Sequence, residues 1–255
     1  MKKIFAVLLV LVMVFSLCAC GAGSKKSDKV LSIGTSPDFP PFEYLEDGKV
    51  VGIEIDILNL ICEKLGMTLE INQMDFDSVL PGVSAGKFKL GVSGITVNED
   101  RKKNALFTDP YCMAAQAIVV MEGSPITCKA DLEGKTVSAQ TGTTAETFCM
   151  GEGYTVKAFT ANSDAENALV SGKVDAWVID DLTAAEMVAA YNETASVKLV
   201  VLDEPMTLEP YAFAAAKGNE KLIASINDAL NSLVADGTVA KIFEKYDAVF
   251  ISPEK

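Results

Sequence analysis

Two hydrophobic rhythms alternate along this chain. Short apolar runs of strand length give way to stretches with an apolar residue every three or four positions, the period of a helix with one buried face. Val30 to Gly34 predicts a strand. Ile53 to Leu65, apolar at 53, 57, 58, 60, 61 and 65, predicts an amphipathic helix stopped by Gly66. Leu69 to Asn72 predicts a strand, and Met74-Asp75-Phe76 leads into a short helix from Asp77. Leu90 to Ser93 and Ala117 to Met121 predict strands. The alternation then restarts: strand Thr136 to Ala139, helix from Ala145, strand Thr155 to Phe159, helix Ser163 to Val170, strand Val174 to Asp180. A helix from Thr183 to Tyr191 and strands Lys198 to Leu202 and Tyr211 to Ala216 follow, then helices Asn219 to Ala235 and Val239 to Tyr246.

Polar positions punctuate these elements. Ser36 to Phe42 carries three prolines, which fix an extended loop holding Phe39 and Phe42 outside any helical period. Asp47-Gly48 predicts a hairpin turn. Ser84-Ala85-Gly86-Lys87 and Ser171-Gly172-Lys173 each follow a helix and feed a strand, and those strands end in polar residues, Ser93 to Thr96 and Asp180-Asp181. Alternating strands and helices predict a mostly parallel sheet. Two similar α/β units, joined by strand-like segments near 112–117 and 205–211, would give two lobes with a cleft. Ligands bind outside the carboxyl ends of such strands, where these polar residues gather.

Arg101 is the sole arginine. Asn98 is a plausible N-cap, which puts Arg101 in a first helical turn, where a cation opposes the helix dipole. Two readings stay open: Arg101 grips an anion at a helix start, or Arg101-Lys102-Lys103 is a solvated basic face.

Composition narrows the function. The sequence has no histidine, which excludes Ser-His-Asp and Cys-His catalysis and any histidine-held metal. Lys2, Lys3 and the apolar run Ile4 to Leu17 form a segment of signal-peptide length, too short for a comfortable membrane span, with an uncleaved membrane anchor as the alternative. Roughly 235 residues follow it, enough for two modest lobes. Removing Lys2 and Lys3 takes the net charge from −13 to −15, against any role on nucleic acid. Besides Cys18 and Cys20 the cysteines are Cys62, Cys112, Cys128 and Cys149, with no metal-binding spacing among them. Cys128 and Cys149 could pair, and buried free thiols serve as well.

Several stretches together resemble a known family. They are Gly34-Thr35 to Pro40-Pro41-Phe42-Glu43-Tyr44, Gly52 to Asp56, Met74-Asp75-Phe76, Ser93-Gly94-Ile95-Thr96 with Arg101, Gln140-Thr141-Gly142-Thr143-Thr144, Asp180-Asp181, and Gly237-Thr238 to Tyr246. In this order and spacing they resemble the solute-binding proteins (family 3) of polar amino-acid ABC importers, and Leu17-Cys18-Ala19-Cys20 resembles the lipobox of bacterial lipoproteins. The resemblance implies an α/β, bilobed type II periplasmic-binding fold with two hinge strands. Residues 1–19 would be the signal, 20–29 a lipidated cysteine and tether, 30–114 with 211–255 one lobe, and 115–210 the other. It implies a monomer, lipid-anchored outside the cytoplasmic membrane through Cys20, that carries a free amino acid to an ABC permease without cofactor, metal or catalysis. It also implies that Arg101 grips the α-carboxylate with backbone N–H groups at Thr96 and Thr144. The Gly94 carbonyl, Thr96 hydroxyl and Asp181 would take the α-ammonium, with Ser93 in the same stretch. Phe39 and Phe76 would line the side-chain pocket opposite Gln140 and Thr143. Ser36 stands where members with cationic or amide ligands carry Asp, so a neutral polar amino acid or cystine is expected. A dehydratase of the cyclohexadienyl or arogenate type, or a sensor without transport, is the alternative.

Overall fold

The computed structural model describes residues 29–253; Cys20 and the lipobox lie outside them. The strands are β1 (Val30–Thr35), β2 (Asp38–Phe39), β3 (Glu43–Glu46), β4 (Lys49–Val51), β5 (Thr68–Gln73), β6 (Leu90–Gly91), β7 (Ala105–Phe107) and β8 (Cys112–Ala114). They continue as β9 (Gln116–Met121), β10 (Thr136–Gln140), β11 (Thr155–Phe159), β12 (Ala176–Asp180), β13 (Leu199–Val201), β14 (Glu209–Tyr211) and β15 (Ala214–Ala216). Two five-stranded sheets form, ordered β5-β1-β6-β15-β7 and β11-β10-β12-β9-β13. Each is the floor of one lobe. Between them β8 and β14 pair antiparallel, Tyr211 opposite Cys112 and Glu209 opposite Ala114.

Both sheets are mixed, where the alternation predicted mostly parallel ones. β1 runs parallel to β5 and β6, and β10 to β11 and β12. β15 runs antiparallel to β6 and β7, and β9 to β12 and β13. The reversed strands are those that enter a sheet straight from the hinge: β8 feeds β9, and β14 feeds β15. They arrive from the opposite end to strands fed by a helix.

Local signals read well. The helix Ile53–Leu65 ends at Gly66 in the left-handed conformation (φ 62°). Asp47 and Gly48 both have positive φ, 50° and 76°, the mirror-image turn that suits a two-residue hairpin. Gly52 must be glycine: its φ is 129°, and a Cβ there would stand 2.2 Å from the Phe42 carbonyl oxygen. The predicted strand Tyr211 to Ala216 divides. Its first part stays in the hinge and Ala214–Ala216 joins the first sheet. Residues 211–215 are all fully buried, so the unbroken apolar run hid the break. β7 was not foreseen, being three residues long.

The hinge is anchored by aromatic rings. Tyr111 stacks on Phe213 at 5.1 Å, Tyr211 meets Phe42 edge-on at 5.2 Å, and Phe42 meets Phe243 at 6.1 Å. Trp177 is fully buried under the second sheet's helices. Cys62, Cys112, Cys128 and Cys149 are all free thiols.

Candidate functional site

A cavity lies between the lobes at the carboxyl ends of β1, β6, β10 and β12, lined by Asp38, Phe39, Phe76, Ser93, Gly94, Thr96, Arg101, Gln140, Thr143, Thr144 and Asp180. The structure therefore brings together nine of the ten ligand-site residues named from sequence and adds two.

Arg101 turns inward. Asn98 caps its helix, accepting from the Arg101 N–H at 2.8 Å, but the helix is the single turn Glu99–Lys102. A dipole of that length cannot direct the guanidinium, so the expectation built on it gives way to side-chain geometry. The guanidinium donates to the Thr96 carbonyl (2.9 Å) and, across the cleft, to the Gly142 carbonyl (3.2 Å). Its carbon stands 5.7 Å from the centre of the Phe76 ring. Lys102 and Lys103 instead pair with exposed Glu99 and Asp100. The solvated basic face is thus real but excludes Arg101. Burial lowers the Arg101 pKa and the charges of Glu209 and Asp180 oppose that, yet a guanidinium stays charged in any protein setting. Of its five N–H donors, these two bonds leave three without a protein acceptor among the described residues, on a side chain that lines the cavity.

Thr144 opens the helix Thr144–Gly151 behind its N-cap Thr143, whose hydroxyl accepts from the Glu146 N–H at 3.2 Å. The Thr144 amide is among the donors a helix start leaves without an internal partner. The Thr96 and Thr144 hydroxyls meet at 3.4 Å. Gly94 takes φ 51°, and a Cβ there would stand 2.6 Å from the Phe39 ring, so the loop closes over Phe39 only as glycine. Phe39 is both core and wall: 8% exposed, stacked on Phe42 at 5.7 Å.

At the other end Asp180 lines the cavity, and Asp181, named from the sequence, does not. Asp180 is the last residue of β12 and reaches the cavity, where Gln116 Nε2 donates to its Oδ1 at 2.9 Å. Asp181 begins the helix Asp181–Thr194, and its Oδ1 accepts from the N–H groups of Ala115 (3.3 Å) and Leu182 (2.8 Å). Successive residues leaving a strand point to opposite faces. Only one of two adjacent aspartates can face the cleft, and the sequence does not say which. Burial first, then the charge of Glu209, pushes Asp180 up to about 7.

Asp38 was missed. It lies between Ser36 and Phe39, both singled out from the sequence, and the Ser36 hydroxyl donates to Asp38 Oδ1 at 2.9 Å. Asp38 Oδ2 accepts from Gln140 Nε2 (3.1 Å) and from the backbone N–H of Asn162 (3.0 Å), both in the second lobe. Asn162 is the first residue of the helix Asn162–Val170, whose own N-cap residue, Ala161, offers no side-chain bond. Asp38 thus caps a helix of the facing lobe. Its replacement by alanine is expected to weaken the closed form by the cost of a lost cap, about 0.5–2 kcal/mol. Ligand affinity should fall roughly two- to thirtyfold while unliganded melting holds. Calorimetric titration beside melting curves checks this; a melting loss without an affinity loss would mean the contact only supports the first lobe.

The model of bacterial extracellular solute-binding proteins, family 3, matches residues 31–248. The chain belongs to that family. Among relatives of this solute-binding protein, the probable amino-acid-binding protein YxeM of Bacillus subtilis (strain 168) is 30% identical, the match covering 96% of this chain and 95% of the relative. The solved structure of an ancestral arginine-binding protein bound to glutamine superposes with a TM-score of 0.80 at 40% identity, over 86% of this chain and 97% of that one. The ancestral amino acid-binding protein AncCDT-1, described as a precursor of cyclohexadienyl dehydratase, superposes with a TM-score of 0.76 at 32% identity, over 86% and 95%. The fold is that of the type II periplasmic binding proteins.

Proposed function

We propose that this solute-binding protein captures one free α-amino acid with a neutral polar side chain between its lobes and delivers it to an ABC importer. The carrying observation is the cavity's charge layout. Arg101 and Asp180 lie in different lobes and line one cavity, with spare donors on the guanidinium and an unpaired helix-start amide at Thr144. A zwitterion leaving water needs a paired cation and a paired anion together with neutral hydrogen-bonding groups. In this reading the α-carboxylate sits on Arg101 and the amides of Thr96 and Thr144, and the α-ammonium on the Gly94 carbonyl, the Thr96 hydroxyl and Asp180. Phe39, Phe76, Gln140 and Thr143 surround the side chain. A neutral side chain is favoured because Asp38, the acid at that end, already accepts from Ser36, Gln140 and Asn162. Cystine, which carries two zwitterionic ends and no net charge, stays within this class.

Thermal-shift screening of the mature chain against all amino acids and cystine tests this. A ligand at 100 times its Kd adds about 2.7 kcal/mol of apparent stability. L-Glutamine is the first probe, and a shift with arginine or lysine alone would overturn the neutral-ligand reading. A second reading rests on Asp180, because a buried carboxyl that keeps its proton near neutrality is what an acid-catalysed dehydratase requires. Incubation with arogenate or prephenate decides it by product formation.

The same reading puts the mature chain, as a monomer, on the outer face of the cytoplasmic membrane, held by lipid on Cys20. Cys20→Ala is expected to release the protein from the membrane fraction or leave its precursor unprocessed. Normal processing with continued membrane attachment would place the anchor elsewhere.

A further inference from the structure

Two carboxyl groups that the cavity does not use lie beneath the Ser93–Gly94 turn. Glu43, in β3, and Glu54, in the first turn of the helix Ile53–Leu65, are both fully buried and neighbour each other, held on the adjacent residues Ser93 and Gly94. Glu43 Oε1 accepts from the Ser93 hydroxyl at 2.8 Å. Glu54 Oε1 accepts from the Tyr111 hydroxyl at 2.7 Å, and its Oε2 from the Gly94 N–H at 3.2 Å. Glu43 Oε2 is buried without a partner. The other titratable groups that face the pair are Asp38, Tyr111 and Cys112, and none is a cation.

Two neighbouring carboxylates, fully buried and with no cation facing them, cannot both be charged. A single proton satisfies every oxygen of the pair. We propose that Glu43 keeps that proton at neutral pH and donates it from Oε2 to Glu54, and that Glu54, as the anion, is a positioning residue that holds Gly94 by its N–H. The assignment follows from the donors. Glu54 already receives two, from Tyr111 and Gly94, and the shared proton makes a third, which suits an anion. Glu43 receives one and has an oxygen left to carry hydrogen. The directions agree: burial and then the charge of Glu54 push Glu43 well above the ordinary carboxylate range, whereas the three donors restrain the rise at Glu54.

The pair gathers the first lobe's half of the site. Ser93 Oγ also accepts from the Ser36 N–H at 3.1 Å, at the head of the loop that carries Asp38 and Phe39. Tyr111 is packed against Phe213 beside the hinge strands. The consequence for ligand affinity rests on the reading of the Gly94 carbonyl as an ammonium acceptor; the shared proton does not.

The test compares two isosteric variants. Glu43→Gln puts an amide donor where the acid proton stood and leaves Oε1 for Ser93. It should bind L-glutamine within about threefold of the parent at pH 7. Glu54→Gln turns an amide donor toward the Gly94 N–H or the Tyr111 hydroxyl and should weaken L-glutamine at least tenfold. Unliganded melting supplies a readout independent of any ligand. A carboxyl protonated when folded and ionised when unfolded holds extra protons in the folded state, so its contribution to stability falls as pH rises above about 4.3. Glu43→Gln has no such loss, and its Tm advantage over the parent should widen from pH 5 to pH 8. Infrared spectra of the parent with 13C-labelled glutamate should retain a protonated-carboxyl band at pH 8 that Glu43→Gln lacks. Absence of that band overturns the shared proton even if the variants do not fold. Equal damage from both variants overturns the assignment of acid and anion. Failure of the parent to bind L-glutamine counts against the proposed ligand class, and the melting and infrared results still decide the proton.

Discussion

Arg101→Ala is expected to abolish most ligand affinity while leaving the unliganded fold nearly intact. In the proposed complex the α-carboxylate is withdrawn from water, and Arg101 is its cationic partner. Truncating one member of a desolvated charge pair costs on the order of 2–5 kcal/mol, or roughly thirty- to several-thousand-fold in affinity. The fold should be spared because the guanidinium's partners are two carbonyls at the cleft, Thr96 and Gly142, and the Phe76 face, none of them in the main core. Arg101→Lys should recover only part of the loss, since an ammonium lacks the planar fork that can hold a carbonyl and a carboxylate together. Calorimetric titration with the amino acid found by screening, beside melting curves, measures both quantities. Binding by Arg101→Ala within about threefold of the parent would remove Arg101 from the site.

The second large effect separates two neighbouring aspartates. Asp180→Asn is expected to cost a similar amount at pH 8 and above, because the proposed ammonium loses its anion. Asp181→Asn keeps the oxygen that accepts from Ala115 and Leu182 and should bind within about threefold. The pH profile is more telling. With Asp180 pushed up to about 7, the free site holds a proton below that value, and an ammonium must displace it. Parent affinity should therefore be level above about pH 8 and fall about tenfold per unit of pH below 7. The Asp180→Asn profile should be flat over that range. Unliganded stability runs the other way. The carboxyl's folded pKa lies above its unfolded value of about 3.9, so its contribution is lost as pH rises from there through about 7. Asp180→Asn should thus melt higher than the parent at neutral pH while binding worse. A parallel loss for Asp181→Asn, or a flat parent profile, would return the anionic role to the hinge-facing aspartate.

Much of this was legible in the chain. Elements whose signals are local stand close to where periodicity put them: the helix Ile53–Leu65 with its Gly66 stop, the Asp47-Gly48 turn, and strands β10 and β11. The absence of histidine disposed of whole classes of chemistry. Arg101 stands out in the sequence because it is alone, and opposition to a helix dipole does not account for its place, since its helix is a single turn.

What the sequence by itself determined is most of the longer elements, their order, and the clustering of polar residues at strand ends, because strand and helix periods and turn chemistry act over a few residues. The tertiary structure alone decided three further things. It fixed strand direction, since β9 and β15 run against their neighbours by virtue of entering from the hinge. It chose Asp180 over Asp181, since the facing of a residue at a strand end depends on register against Gln116 and the hinge. It also gave Asp38 its partners in the second lobe and brought Glu43 to Glu54, because those contacts join residues from 11 positions apart within one lobe to 124 apart across the cleft. No helix or strand period specifies such contacts: Glu43 and Glu54 meet when β3 packs beside its helix within one lobe, and the Asp38 bonds form only where the two lobes meet.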